Sequence, residues 1–195
     1  MKIIVGLGNP EKKYENNLHN MGFLAIDKVS DALGIDFSLK SNLKAYVAQT
    51  ILNGEKVILV KPITYMNLSG ESVRAVCDFY KIDLKDLLVI YDDLDIDIGA
   101  IRFKPNGQSG THNGMRNIVL HLSSTDFARV RIGIKRENAN IPLVDYVLSN
   151  IPADKKDLFN KAITMASECA LDFIKGASPD KLMCDYNGKA KTIKN

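Results

Sequence analysis

The chain opens on an unbroken apolar run, Ile3-Ile4-Val5, which stops at Gly6-Leu7-Gly8-Asn9-Pro10. A β-branched run of this kind reads as a strand buried on both faces. The two glycines and the proline force a loop after it. Phe23, Ile26, Val29 and Leu33 then recur at helical spacing, and Gly34 stands where a helix C-cap belongs. Ala45 to Leu52 and Lys56 to Lys61 read as two strands around Asn53-Gly54. That dipeptide is a hairpin signal, because both residues tolerate positive φ. Pro62 ends the second strand and 63–67 is a connection. Ser69 or Ser72 is placed to cap a helix running to about Lys81, with Val73, Val76 and Tyr80 inward.

Leu87-Leu-Val-Ile-Tyr91 is the next buried strand, and it runs directly into Asp92-Asp93-Leu94-Asp95. Ala100 to Lys104 reads as a short strand, 105–113 as a loop with Gly107 and Gly110, and Gly114 to Leu122 as a helix. Arg129 to Lys135 alternates, the pattern of a half-buried strand. Pro142 to Ser149 reads as a short helix or turn. Pro152 opens a long helix to Gly176, with Leu158, Ile163, Ala166, Ala170 and Phe173 on one face. The tail, about 177–195, carries Ser178-Pro179, Asn187-Gly188 and four lysines, and is expected to be more mobile. Strands and helices alternate, interrupted by one hairpin, and no repeat is evident. The expected fold is therefore α/β: a single domain, 1–195, with a twisted mixed central sheet flanked by helices.

Composition adds limits to that picture. Hydrophobic residues make up 46% and charged residues 25% of the 195, an ordinary globular balance. The longest apolar runs are about five residues, far below the ~20 of a membrane helix. The apolar run after Met1-Lys2 is too short for a signal peptide. Cys77, Cys169 and Cys184 are odd in number and form no CxxC pair, which suggests reduced thiols in a cytoplasmic protein. The net charge of +3 is unevenly spread. Residues 102–136 carry Arg102, Lys104, Arg116, Arg129, Arg131, Lys135 and Arg136 against Asp126 alone. Residues 83–97 carry six aspartates against Lys85. A basic segment in a nearly neutral chain suggests a polyanion partner, with a solvated face as the alternative.

Three apolar strands end at polar residues: the first at Asn9, the second before Asn67, the third at Asp92. If they are parallel, their C-terminal ends share one edge of the sheet, and His19, Asn67, Asp92 and the loop through Asn113 converge there. A carboxylate bonded to one imidazole nitrogen fixes the tautomer, so the other nitrogen can take a proton from water. His19 with Asp92 is the candidate pair; His112 and His121 are rivals, His121 reading as structural. Asn9, Asn67 and Asn113 offer amides that can donate to a developing oxyanion. Turn formation before Pro10 and helix capping are the alternatives for Asn9 and Asn67.

Several familiar sites are excluded. Gly6-x-Gly8 lacks the third glycine of a dinucleotide fingerprint, having Glu11 there, and Pro10 obstructs the helix. Asp93-x-Asp95-x-Asp97 has Ile98 where a calcium loop needs glycine and Lys104 at its twelfth position. Gly107-Gln-Ser109-Gly-Thr111 misses the nucleophile elbow by its last residue. There is no HExxH, and dispersed histidines with unpaired cysteines argue against zinc.

Four ordered motifs resemble the bacterial peptidyl-tRNA hydrolases: Gly6-Leu-Gly-Asn-Pro10 with Tyr14 and His19-Asn20-x-Gly22; Pro62-x-Thr64-Tyr-Met-Asn67-x-Ser69-Gly70; Asp92-Asp-Leu-Asp95; and His112-Asn-Gly114. The resemblance spans most of the chain. It implies an enzyme, a monomer without metal or cofactor, that hydrolyses the ester joining a peptide to the tRNA 3′ end and so returns tRNA from aborted synthesis. It implies that His19 activates water and Asp92 stabilises its active form. Asn9 would distinguish a blocked from a free amine, and Tyr14, Tyr65, Met66, Asn67 and Asn113 would contact substrate. Lys104 and Arg131 would meet tRNA phosphates.

The sequence also departs from that pattern. Glu11 stands where the family often has glycine, Asn17-Leu18 replaces a frequent Thr-Arg, Asp97 a frequent proline and Thr111 a frequent glycine. These bear on loop shape and on cations near His19. Two other readings use the same residues: an RNA-binding module that keeps the basic face without catalysis, and a nucleotide-binding α/β protein suggested by Gly6-x-Gly8.

Overall fold

The computed structural model describes residues 1–188. In chain order its strands and helices are β1 (Lys2–Gly6), α1 (Met21–Leu33), β2 (Ser38–Lys40), β3 (Ala45–Leu52), β4 (Glu55–Pro62), α2 (Ser69–Tyr80), β5 (Leu87–Asp93), β6 (Ile101–Lys104), α3 (Asn113–Leu122), β7 (Ala128–Gly133), α4 (Leu143–Val147), α5 (Lys156–Ile174) and α6 (Pro179–Tyr186). They form one domain with a seven-stranded sheet in the order β2-β3-β4-β1-β5-β7-β6. β4, β1, β5 and β7 are mutually parallel, and antiparallel pairs close both sides. The mixed sheet expected from the hairpin is what forms. Asn53 and Gly54 both take positive φ, as that tight turn requires.

β1 lies between β4 and β5, with Val5 opposite Val60 and Gly6 opposite Ile90. The chain crosses from one side of β1 to the other, so the carboxyl ends of these strands open on a topological switch point. α1 and α5 cover one face, over a core that includes Ile4, Leu59, Ile90 and Phe159. α2 and α3 cover the other, over Val5, Val60, Val89 and Ile118. Burial on both faces explains why β1 and β5 are continuous apolar runs.

α1 approaches the sheet very closely at its start. A Cβ on Gly22 would stand 2.3 Å from the carbonyl oxygen of Ile90 and 2.4 Å from the amide nitrogen of Leu7. Only glycine permits this approach. It holds the turn just before α1 over the end of β5.

The structure differs from the sequence reading at several points. β7 is buried almost throughout rather than half-exposed, since β5 and β6 flank it, α5 packs on it, and Arg129, 1% exposed, bonds the carbonyls of Gln108 and Thr125. Neither Ser69 nor Ser72 caps α2: Ser69 donates back to the Met66 carbonyl and Ser72 to the Leu43 carbonyl. Leu158 is exposed on α5, and Phe159 takes the core position. The segment after Ala177 forms α6, capped by Ser178 with Pro179 at its first position. The rest of the tail expected to be mobile, 189–195, lies outside the described residues. Leu18, which stands where the family often has arginine, is fully buried in the core, so that departure supplies packing.

Candidate active site

The convergence expected at the strand ends forms around Asp92. This residue is the penultimate position of β5 and is 2% exposed. Its Oδ2 lies 2.8 Å from Nδ1 of His19, and its Oδ1 lies 3.1 Å from Nε2 of His112. His19 sits in a 3-10 turn, Leu18–Asn20, that leads directly into α1. Backbone bonds from Leu18 to Ser149 and from Ile151 to Asn16 pin that stretch from outside. Burial works against a charged imidazole at His19, but the carboxylate of Asp92 outweighs it and raises the ring above its ordinary value of 6.5. Burial likewise opposes ionisation of Asp92, yet the two imidazoles outweigh it and hold the carboxyl below the usual carboxylate range.

Asn9 is fixed on three sides. Its backbone N–H donates to Oδ1 of Asn20 at 2.9 Å, and its carbonyl accepts from Nδ2 of Asn20 at 3.0 Å. The Met66 N–H donates to Asn9 Oδ1 at 2.9 Å. With the carbonyl side of the Asn9 amide used internally, its Nδ2 donors are what remain for a ligand. Met66 follows Tyr65, a non-glycine residue with φ 57° and ψ 159°. Such a backbone costs energy and persists only where its surroundings hold it. Here it aims the Met66 N–H at Asn9.

The other sequence candidates are more dispersed. Asn113 is the first residue of α3 and lines a cleft of about 280 Å³ together with His19, Asp92, Lys104 and Arg131. Arg131 is not a free cation: its Nε donates to Asp93 at 2.7 Å. Lys104 is exposed at the end of β6 and has no ion-pair partner among the described residues. Asn67 is exposed in the 3-10 turn Met66–Leu68 and is not hydrogen-bonded to the Asp92 cluster. Tyr14 lies against the Lys13 ammonium, 4.8 Å from the ring centre. Tyr65 donates its hydroxyl to Glu11, so the residue standing in place of glycine engages a candidate substrate-binding side chain. A second concavity of about 450 Å³ is lined by Asn9, Glu11, Asn20 and Lys61.

Two residues of the site were not singled out by sequence reasoning. Asn20 appears there only as a motif letter, although an asparagine directly after the candidate base is a signal for a backbone clamp. His112 appears only as a rival base and a motif letter, although a histidine just before a helical pattern can be its cap. His121 lies in the last turn of α3, at the opposite end from His112. Ligand atoms of His19, Asp92 and His112 lie within 4.8 Å of one another. The hydrogen bonds already join them, so a cation there would have to displace both. Among the described residues no helix is long and apolar enough to cross a membrane.

Comparison with known proteins gives a consistent result. The family model described as Peptidyl-tRNA hydrolase matches residues 3–194. A protein of that name from Exiguobacterium sp. is 48% identical over 174 residues, covering 89% of this chain and 94% of the relative. One from Bacillus cytotoxicus is 43% identical over 187 residues, covering 96% of this chain and 100% of the relative. A crystal structure of peptidyl-tRNA hydrolase from Acinetobacter baumannii superimposes with a TM-score of 0.90 at 34% identity, over 96% of this chain and 95% of that one.

Proposed function

This chain belongs to the peptidyl-tRNA hydrolase family, and from that premise we propose that His19, oriented by Asp92, activates water to cleave the ester between peptide and tRNA. The observation that carries this reading is the 2.8 Å contact between His19 Nδ1 and a carboxylate that is almost wholly buried. An ionised carboxylate only accepts, so His19 keeps its proton on Nδ1 and turns the Nε2 lone pair toward the cleft. Nε2 takes a proton from water as the water oxygen attacks the ester carbonyl carbon. The ester C–O bond then breaks, and the proton passes from Nε2 to the departing ribose oxygen. The products are a peptide acid and a tRNA with a free terminal hydroxyl. General-base help of this kind contributes about 10²–10⁴ in rate.

Asn113, which lines the cleft at the start of α3, supplies an amide donor to the developing oxyanion in this reading, and Asn67 is a second candidate. Asn9 reads the peptide. Its Nδ2 donors suit the carbonyl oxygen of a blocked amine, whereas a free ammonium brings only further donors and must lose its hydration. Tyr14, Tyr65 and Met66 border the peptide side. Lys104 and Arg131 lie on the side that would receive tRNA phosphates, so binding weakens with salt. A monomer acting in the cytoplasm, within translation, follows from the same reading.

The reading is tested by multiple turnover of an N-acetyl-aminoacyl-tRNA in ¹⁸O-labelled water. The released acid should carry the label and the tRNA hydroxyl should not. Tight binding with no release would instead favour an RNA-binding module.

A further inference from the structure

His112 shares the carboxylate of Asp92 but stands outside the proton transfers above. Its side chain is 8% exposed and each ring nitrogen has a defined partner. Nε2 faces Asp92 Oδ1 at 3.1 Å, and Nδ1 faces the backbone N–H of Met115 at 3.2 Å. An ionised carboxylate cannot donate and an amide N–H cannot accept. The proton of His112 is therefore on Nε2, and Nδ1 presents a lone pair. The residue precedes Asn113, the first residue of α3, with the extended backbone of an N-cap, φ −74° and ψ 115°.

We propose that His112 is a positioning residue for the hydrolysis. It fixes Asp92 through Nε2 while Nδ1 ties down the helix start that carries Asn113. The inference rests on the His19–Asp92 reading and deepens it. One imidazole sets two things at once: the orientation of the carboxylate that holds the base, and the register of the helix bearing the oxyanion donor. With both nitrogens committed, His112 has no lone pair for water. Among the described residues, no protein group bonds Nε2 of His19, so His19 alone can act as the base.

Packing holds the ring in place: the centre of the His19 ring lies 4.9 Å away, and Tyr91 packs edge-on at 4.9 Å.

The test uses the full chain and two measurements. Imidazole ¹⁵N spectra of the native protein should show the His112 proton on Nε2, with Nδ1 as the acceptor. His112→Asn keeps an acceptor for the Met115 N–H, since asparagine is a good N-cap, but cannot reach Asp92. We expect a near-native KM for N-acetyl-aminoacyl-tRNA and a kcat lower by about 10- to 100-fold, the worth of a hydrogen bond to a charged group. The acid limb of kcat/KM should move to higher pH, because a carboxylate relieved of one donor holds the His19 proton more tightly. The His112 proton found on Nδ1, or a variant with native kcat and native pH profile, would overturn the proposal. A variant altered in KM alone would also do so. Failure of the base assignment is read separately, from persistent turnover by His19→Ala, because the His112 tautomer is observed in the resting protein.

Discussion

Nδ1 of His19 lies 2.8 Å from Oδ2 of Asp92, although 73 positions separate them in the chain. The contact sets a pH dependence whose direction can be stated. A base must enter the reaction unprotonated, and His19 is raised above 6.5. Thus kcat/KM should be level at higher pH and fall about tenfold per unit below an apparent pKa above 6.5. In Asp92→Asn the burial remains and the opposing charge is gone, so that limb should move to lower pH. Stability follows the same groups. The His19 contribution is full below its unfolded value near 6.5 and is lost as pH rises through the folded one. The Asp92 contribution is present above 3.8 and lost as pH falls through its depressed folded value. Urea midpoints against pH check both signs.

Asn9 should decide between blocked and free amines. Asn9→Asp keeps the oxygen that accepts from Met66 but replaces the Nδ2 donors with a second acceptor. The ratio of kcat/KM for N-acetyl-aminoacyl-tRNA over aminoacyl-tRNA should fall by about 10²-fold, the scale on which a lost polar match discriminates. A ratio unchanged within twofold would remove Asn9 from that role.

The two cations beside the cleft should behave differently. Lys104 has no ion-pair partner among the described residues, whereas Arg131 is held by Asp93 at 2.7 Å. Lys104→Ala should raise KM for the tRNA substrate, leave kcat near native, and reduce the salt slope of binding by about one. Arg131→Ala should change the salt slope less, because the Asp93 charge is released as the arginine is lost. Binding titrations across a range of KCl concentrations measure both slopes.

Gly22 links the fold to the chemistry. A methyl group there would meet the Ile90 carbonyl at 2.3 Å and the Leu7 nitrogen at 2.4 Å, both backbone atoms. Gly22→Ala should destabilise by about 1–3 kcal/mol in urea unfolding. By lifting the start of α1 it should also lower kcat more than it changes KM.

Much of this site was legible in the sequence, for a definite reason. The apolar runs at Ile3-Ile4-Val5 and Leu87–Tyr91 end in polar residues, and parallel strands carry such ends to one edge. His19 and Asp92 meet on that account. Other features depend on tertiary context. The alternation through Arg129 looks like a half-exposed strand, yet its guanidinium is buried against the carbonyls of Gln108 and Thr125, which sequence periodicity does not reveal. Leu18 looks like a lost surface cation beside His19 until the core is seen to close over it. Arg131 looks like a free phosphate ligand until Asp93 is seen beside it. α6 did have a local signal, Ser178-Pro179-Asp180, which the lysines and glycine of the tail obscured.

The central claim is that the His19 imidazole takes the proton from water. Its most direct test is single-turnover cleavage of N-acetyl-aminoacyl-tRNA by His19→Ala at saturating enzyme, with tRNA binding measured on the same preparation. The account predicts binding near native and a cleavage rate lower by at least about 10², the minimum expected of a lost general base. Cleavage within a few-fold of the native rate, with binding intact, would contradict it.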